Sequence, residues 1–209
     1  MDLRFELGNS MIICGPSKAG KTTWILNLIT HRRELFQQPI GKIYWFYGVW
    51  QESYAKLSRL GVIPKEGVEK EAIEAIEPRS LVVLDDLMIE SENSQAVTSL
   101  FTRLVHHREL FLCYVTQNFY HQSKEACLRH LNSHYIVFFK NPRDKTQISM
   151  LARQMCTGKS TRSFVELFEN ITEDKAFAYL LIDLRQSTPN DIRIRTNIFP
   201  SEYPPIAYK

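Results

Sequence analysis

Nothing in this chain offers a disulfide framework or a zinc site. Its 209 residues include 4 cysteines, Cys14, Cys113, Cys127 and Cys156, which lie far apart with no CxxC pair and no histidine at zinc spacing. Cys14 and Cys113 fall inside apolar runs, where a free thiol behaves as a small hydrophobe. Reduced cysteines in a reducing compartment are therefore expected. No apolar run approaches the length of a membrane span, and the first residues carry no signal-peptide pattern, so cytosol or nucleoplasm is the expected setting and no membrane partner is implied. An excess of one charge is missing as well. With 26 basic and 23 acidic residues the net charge is +3, and bulk electrostatics select no partner. Any nucleic-acid binding has to come from a local arrangement, or from several subunits combining theirs. Internal repeats and low-complexity tracts are absent too. What remains is a chain that is 44% hydrophobic, enough for one substantial core and suited to a single α/β domain.

The chemistry is concentrated in Gly15-Pro16-Ser17-Lys18-Ala19-Gly20-Lys21-Thr22, a complete phosphate-binding loop that follows the apolar run Met11–Cys14 and precedes helix-forming sequence. A glycine-rich turn lets successive backbone N–H groups point at one anion, which Cβ atoms would obstruct. Lys21 adds a mobile charge for the β- and γ-phosphates of ATP, and the Thr22 hydroxyl is a ligand for Mg²⁺. Thr23 completes the nucleotide-binding stretch. Lys18 belongs to the loop but stays outside the catalytic set, because lysines in such loops usually point to water.

Short apolar runs alternate with longer amphipathic stretches, which predicts a mostly parallel sheet with crossover helices on both faces. Candidate strands are Met11–Cys14, Ile43–Tyr47, Leu81–Leu84, Phe111–Val115, Tyr135–Phe139 and Tyr179–Asp183. The helix after the loop is expected over Lys21–Leu35, with Trp24, Ile25, Leu28 and Ile29 on one face. Further helices are expected over Ser94–His107, Lys145–Gln154 and Ser160–Ile171. Gly48–Arg79 is the least readable segment: a helix around Gln51–Leu60, then a charged stretch that suits a solvated face or an insertion. Residues 1–200 are expected to form one ATPase domain, followed by an extended tail over 201–209 that contains Pro204 and Pro205.

The second half of a nucleotide site is found at Leu81-Val82-Val83-Leu84-Asp85-Asp86. Buried strands are apolar throughout, so acids at the carboxyl end mark where a strand opens onto a site. Asp85 suits the metal-facing acid opposite Thr22. Asp86 is placed to orient and deprotonate the attacking water, one methylene shorter than the glutamate more often found in that role. Paired acids after a strand also cap helices, which is the plainer alternative. The run Phe111–Val115 ends in Thr116-Gln117-Asn118, a polar tip which, if this strand lies centrally as in additional-strand P-loop ATPases, would sit beside the γ-phosphate with Gln117, or failing it Asn118, to sense it; an ordinary polar turn is the plainer alternative. His106 and His107 point about 100° apart on a helix and do not readily share an ion. Arg108, next in line, suits an arginine presented to a neighbour's nucleotide, with stabilisation of its own helix end as the alternative. Arg103, Arg143 and Arg153 are further candidates for that role.

Taken in order, GPSKAGKTTW, IYWFYGVWQ, LVVLDDL, HHREL, VTQNFYHQSKE, LNSHYIVFFKNPRDKTQI and RTNIFP resemble the DNA-packaging ATPases of the FtsK–HerA superfamily, in their poxvirus-type branch. The resemblance runs from about Met11 to Pro200. It implies an additional-strand, RecA-like P-loop NTPase fold with strand order near 5-1-4-3-2 and assembly into a homo-oligomeric ring. It also implies ATP-driven, Mg²⁺-dependent translocation of double-stranded viral DNA into a capsid, with capsid or portal proteins as partners, in the host cytoplasm or nucleus. Carried over by position, Lys21 and Thr22 take the phosphate-loop roles, Asp85 the metal-facing role, Gln117 the sensing role and Arg108 the role of the arginine finger. Asp86 departs from the glutamate that many relatives carry.

DNA contact is expected through phosphates, without base readout. Its candidate carriers are the cluster Lys140, Arg143 and Lys145 and the loop His121–Lys124, with a solvated turn that makes no DNA contact as the alternative for each. Two rivals remain at this stage: a small-molecule P-loop kinase, and an assembly protein that binds ATP with little turnover.

Overall fold

All six residues of strand β1 (Asn9–Cys14) are buried, as expected of a strand covered on both faces. In the computed structural model, which describes residues 2–85, 87, 91–120, 132–156, 158–173, 175–202 and 204–208, eight further strands join it: β2 (Ile43–Tyr47), β3 (Val62–Glu66), β4 (Leu81–Asp85), β5 (Phe111–Thr116), β6 (Tyr135–Phe139), β7 (Tyr179–Asp183), β8 (Ile194–Thr196) and β9 (Ile206–Tyr208). They form one sheet in the order β3-β2-β4-β5-β1-β6-β7-β8-β9. The six strands from β3 to β6 in that row, with β1 between β5 and β6, are parallel, and β7, β8 and β9 continue antiparallel. Without β3, the parallel strands run in the expected order 5-1-4-3-2 when counted along the chain. The sheet extends that order by one strand past β2 and by three past β6.

Alternation along each strand sends neighbouring side chains to opposite faces. Met11 and Ile13 face α1 (Lys21–Thr30), whose Trp24, Ile25, Leu28 and Ile29 are buried. Ile25, Leu28 and Ile29 contribute about 1.5–3 kcal/mol each by leaving water. Ile12 and Cys14 face the other layer, where α6 (Thr146–Met155) and α7 (Lys159–Glu173) supply Ile148, Leu151, Phe164 and Phe168. The same layer continues over β4 and β5 with α3 (Lys70–Glu74), α4 (Ser91–Ser99) and α5 (Val105–His107), where Ile73, Val97, Leu100, Phe101 and Val105 are buried. Among the described residues no helix is long and apolar enough to cross a membrane.

Three expectations about local structure change. The helix predicted over Lys21–Leu35 breaks at His31, with α2 (Arg32–Leu35) following. The carbonyl of Asn27 is engaged by the backbone N–H and the Nδ1 of His31, and the carbonyl of Ile29 by the Arg32 side chain, which ends the regular ladder. The run Ser94–His107 is helical but widens into a π turn over Leu100–Leu104. Around Gln51–Leu60 two 3₁₀ segments, Glu52–Lys56 and Ser58–Leu60, replace the expected helix, and the charged stretch after them begins with β3. Pro64 is accommodated because β3 pairs on one side only.

At the amino edge of the parallel strands the sheet carries a buried ion cluster. Arg195 Nη2 and Arg185 Nη2 donate to Asp183 Oδ2 at 2.9 and 2.8 Å, and the Asp183 and Arg195 side chains are 1% and 2% exposed. Arg195 also donates to the carbonyl of Leu3 at 2.8 Å, and Arg185 pairs with Glu6 at 2.7 Å. Removing one partner of such a cluster leaves a charge buried without its counter-charge. Asp183→Ala is therefore expected to cost about 3–5 kcal/mol of stability, read as a fall in the urea midpoint.

Candidate functional site

Because β1, β4 and β5 are parallel, their carboxyl ends open onto one edge of the sheet, and there the two halves of the expected site meet. The loop leaves β1 at Gly15, whose N–H donates to the carbonyl of Thr116 at the end of β5 (3.3 Å). A Cβ at Gly15 would lie 2.7 Å from Phe139 Cβ, so a side chain there would push the loop off β6. The chain then turns, with Ala19 N–H on the carbonyl of Pro16 (3.2 Å). Lys18 (φ 63°) and Gly20 (φ 99°) take left-handed backbone, a conformation that costs little only at glycine. Helix α1 starts at Lys21, with Trp24 N–H on the carbonyl of Gly20.

The cavity bounded by this loop has a volume of about 360 Å³. Ser17, Lys18, Gly20, Lys21, Thr22 and Thr23 line one side of it, and Asp85, Val115, Thr116 and Gln117 the other. Lys21, Thr22, Asp85 and Gln117 are thus brought together, and Gly15, Pro16 and Ala19 shape the loop that leads to Lys21 and Thr22. The Lys21 ammonium donates to the carbonyls of Gly15 (2.6 Å) and Pro16 (2.9 Å). Those bonds hold the charge over the cradle, from which it can swing to a phosphate oxygen. Lys18 is exposed.

Asp85 is 2% exposed and accepts a hydrogen bond on Oδ2 from the hydroxyl of Tyr54 (2.9 Å). Tyr54 is itself buried in an aromatic group with Trp45, Tyr47 and Trp50. Gln117 is exposed at its strand tip, whereas Asn118 is used by the turn that follows: its side chain accepts the N–H of Tyr120 and its carbonyl the hydroxyl of Thr116. Cys14, directly before the loop, donates through Sγ to Gln117 O (3.9 Å) and Gln147 Oε1 (3.8 Å), and burial pushes its thiol up to about 12.

Other expected residues lie elsewhere. Asp86 falls outside the described residues, as does the loop His121–Lys124. Arg108 stands before β5, at the edge of the sheet opposite the cavity, where Nη1 donates to the carbonyls of Glu74 and Ile76, each at 2.7 Å. Arg103, Arg143 and Arg153 do not line the cavity either. Of the basic cluster after β6, Lys145 pairs with Glu169 (2.8 Å), Lys140 donates to the carbonyl of Thr172 (3.1 Å), and Arg143 is exposed on its turn.

Three residues of the site were not expected from the sequence: Gln51 and Phe177, which line the cavity, and Tyr54. Gln51 and Tyr54 fall in the stretch expected to be a helix, and Phe177 in the turn before the expected strand Tyr179–Asp183, so the aromatic richness of 44–54 was the one hint, and it pointed to Tyr54.

Strand, glycine cradle, helix and a carboxylate on a parallel strand of the same sheet, one strand removed, together decide the architecture. The fold is that of a P-loop NTPase. No family model and no curated protein matches the chain. Among solved structures, the genome packaging NTPase B204 from Sulfolobus turreted icosahedral virus 2, in complex with ATPγS, superposes with a TM-score of 0.58 at 15% identity, covering 90% of this chain and 96% of B204. The KaiC-like protein PH0186 from Pyrococcus horikoshii OT3 gives a TM-score of 0.49 at 10% identity, covering 97% and 91%. The first likeness extends the P-loop NTPase fold over nearly the whole chain.

Tyr54→Phe keeps the aromatic packing and removes the bond to Asp85. It is expected to lower stability by about 1 kcal/mol, measured by urea denaturation, with the far-UV spectrum unchanged.

Proposed function

We propose that this chain is an ATPase that works as a homo-oligomeric ring and drives double-stranded viral DNA into a capsid, docking on capsid or portal proteins in the host cytoplasm or nucleus. Residues 1–200 would form the ATPase domain, with 201–209 as its tail. The observation that carries the enzymatic part is the convergence of Lys21, Thr22, Asp85 and Gln117 on one cavity at the carboxyl edge of the sheet. The packaging part draws support from B204, a genome packaging NTPase whose fold runs along this chain almost end to end, and from the sequence runs that resemble packaging ATPases.

The loop N–H groups and Lys21 hold the β- and γ-phosphates, so the donors are in place before charge builds on the oxygens. A hydroxyl and a carboxylate facing one cavity are hard oxygen donors, which suits an ion that keeps phosphates and waters as its other ligands. Thr22 and Asp85 would hold that Mg²⁺. When bound, the ion would neutralise charge on the phosphate oxygens. Asp86 would take the proton of the attacking water. Gln117, at the strand tip beside the γ-phosphate position, would register its loss and pass the change to the loop after β5. Arg108 faces away from its own subunit's cavity, so a finger role requires that the amino edge of one subunit meet the carboxyl edge of the next. Lys140, Arg143 and Lys145 leave β6 at the carboxyl edge and would meet DNA phosphates.

The test is steady-state ATP hydrolysis with and without long double-stranded DNA. Turnover is expected to rise with DNA, to fall at least a hundredfold in Lys21→Ala (roughly the loss of one strong transition-state donor), and to weaken steeply with salt whatever the base sequence. Turnover that needs a small-molecule acceptor and ignores DNA would reverse the reading. So would assembled rings that bind ATP and leave it intact. In assembled rings whose turnover rises with DNA, Arg108→Ala is expected to abolish that stimulated turnover; full retention would remove Arg108 from the finger role.

A further inference from the structure

Phe177 is an aromatic residue that the phosphate chemistry leaves unused. Five large apolar side chains among the described residues stand exposed, Val49, Trp50, Met150, Phe177 and Ile206, and of these Phe177 lines the nucleotide cavity. It is 68% exposed and holds a left-handed backbone at φ 62°. An exposed phenyl group loses free energy to water, and a non-glycine residue in this region is strained. Both costs at one position of a cavity wall are characteristic of ligand clamps.

Topology says which part of the ligand it meets. Strand β7 runs antiparallel to β6 with Tyr179 opposite Phe139, so the turn that enters β7 opens at the same edge as the phosphate loop. Asp85 ends β4 and Gln117 directly follows β5, on one side of β1; the turn before β7 lies on the other side, past β6. A triphosphate seated over Gly20–Thr22, with its terminal phosphate toward Asp85 and Gln117, directs its nucleoside to the β6–β7 side. The phenyl ring is held close to that seat: a Cβ on Gly20 would lie 3.2 Å from Phe177 Cδ1. Its neighbours are fixed. Ala178 N–H bonds the carbonyl of Lys175, Ala178 and Tyr179 are buried, and Lys175 reaches Asn197 and Glu202.

We propose that Phe177 is the stacking platform for the base of the bound nucleotide. Its open face offers a π surface to a planar heteroaromatic ring, and the strained, anchored turn holds it there before the ligand arrives. The proposal rests on the reading of this cavity as a nucleoside-triphosphate site and adds to it the means of holding the base.

Isothermal titration of two probes separates the parts: ATP, and inorganic tripolyphosphate, which has the phosphates without the base. Phe177→Ala is expected to weaken ATP roughly tenfold, the usual scale for loss of one base–aromatic stack, and to leave tripolyphosphate unchanged; Phe177→Trp is expected to keep ATP affinity. Phe177→Gly relieves the left-handed backbone, so it is expected to fold at least as firmly while losing ATP affinity in the same way. ATP binding unchanged in both the alanine and glycine variants, or an equal loss for both probes, would overturn the platform while Lys21→Ala, by weakening both probes, still supported the phosphate site. A wild-type chain that bound neither probe would overturn the platform together with the site.

Discussion

Hydrogen bonds from β5 on one edge and β6 on the other hold β1 along its length, from Asn9 opposite Phe111 to Cys14 opposite Phe138, and this double pairing decides where the phosphate loop can go. A strand gripped from both sides cannot slide or tilt without breaking bonds on each. The loop that leaves it inherits that rigidity through the bond from Gly15 to Thr116, and through the close approach to Phe139 that excludes any Cβ at Gly15. The N–H groups of the cradle are therefore aimed by the sheet, with little left to reorganise when an anion enters.

The two ends of the parallel strands divide the polar residues between them. At the carboxyl edge Lys21, Thr22, Asp85 and Gln117 converge on open space. At the amino edge Asp183, Arg185, Arg195 and Glu6 pair with one another, and the antiparallel strands are bound to the rest. Both groups are charged and partly buried, yet one faces a cavity and the other faces itself. Arg108 belongs by position to the second end, where it ties the start of β5 to the carbonyls of Glu74 and Ile76 at the end of α3 and just past it.

The parallel core and half of the site were legible because their signals are local. Val82–Leu84 running into Asp85 reads as a buried strand opening onto chemistry, and Gly15–Thr22 carries its geometry in its glycines. The edge strand β3 was illegible since Val62–Glu66 is mostly exposed, charged and interrupted by Pro64, the opposite of the apolar run that marks an inner strand. Tyr54 and Phe177 escaped for a different reason. Their roles come from contacts across the fold, to Asp85 and to Gly20, and no spacing within the chain encodes them. The 3₁₀ segments that replaced the helix near Gln51 follow the same logic: packing of Tyr54 and Leu57 into the core set the backbone there.

Burial of Cys14 has a consequence for the redox life of the protein. The thiol stands one residue before the cradle, where an oxidised or alkylated sulfur would wedge β1 away from Gln117 and Gln147 and spoil the loop. Yet with 1% of its surface exposed and its pKa pushed up to about 12, it is almost wholly protonated at neutral pH, and a protonated, enclosed thiol is a poor target for peroxide or electrophiles. The thiol next to the cradle is thus shielded by the same packing that fixes the loop.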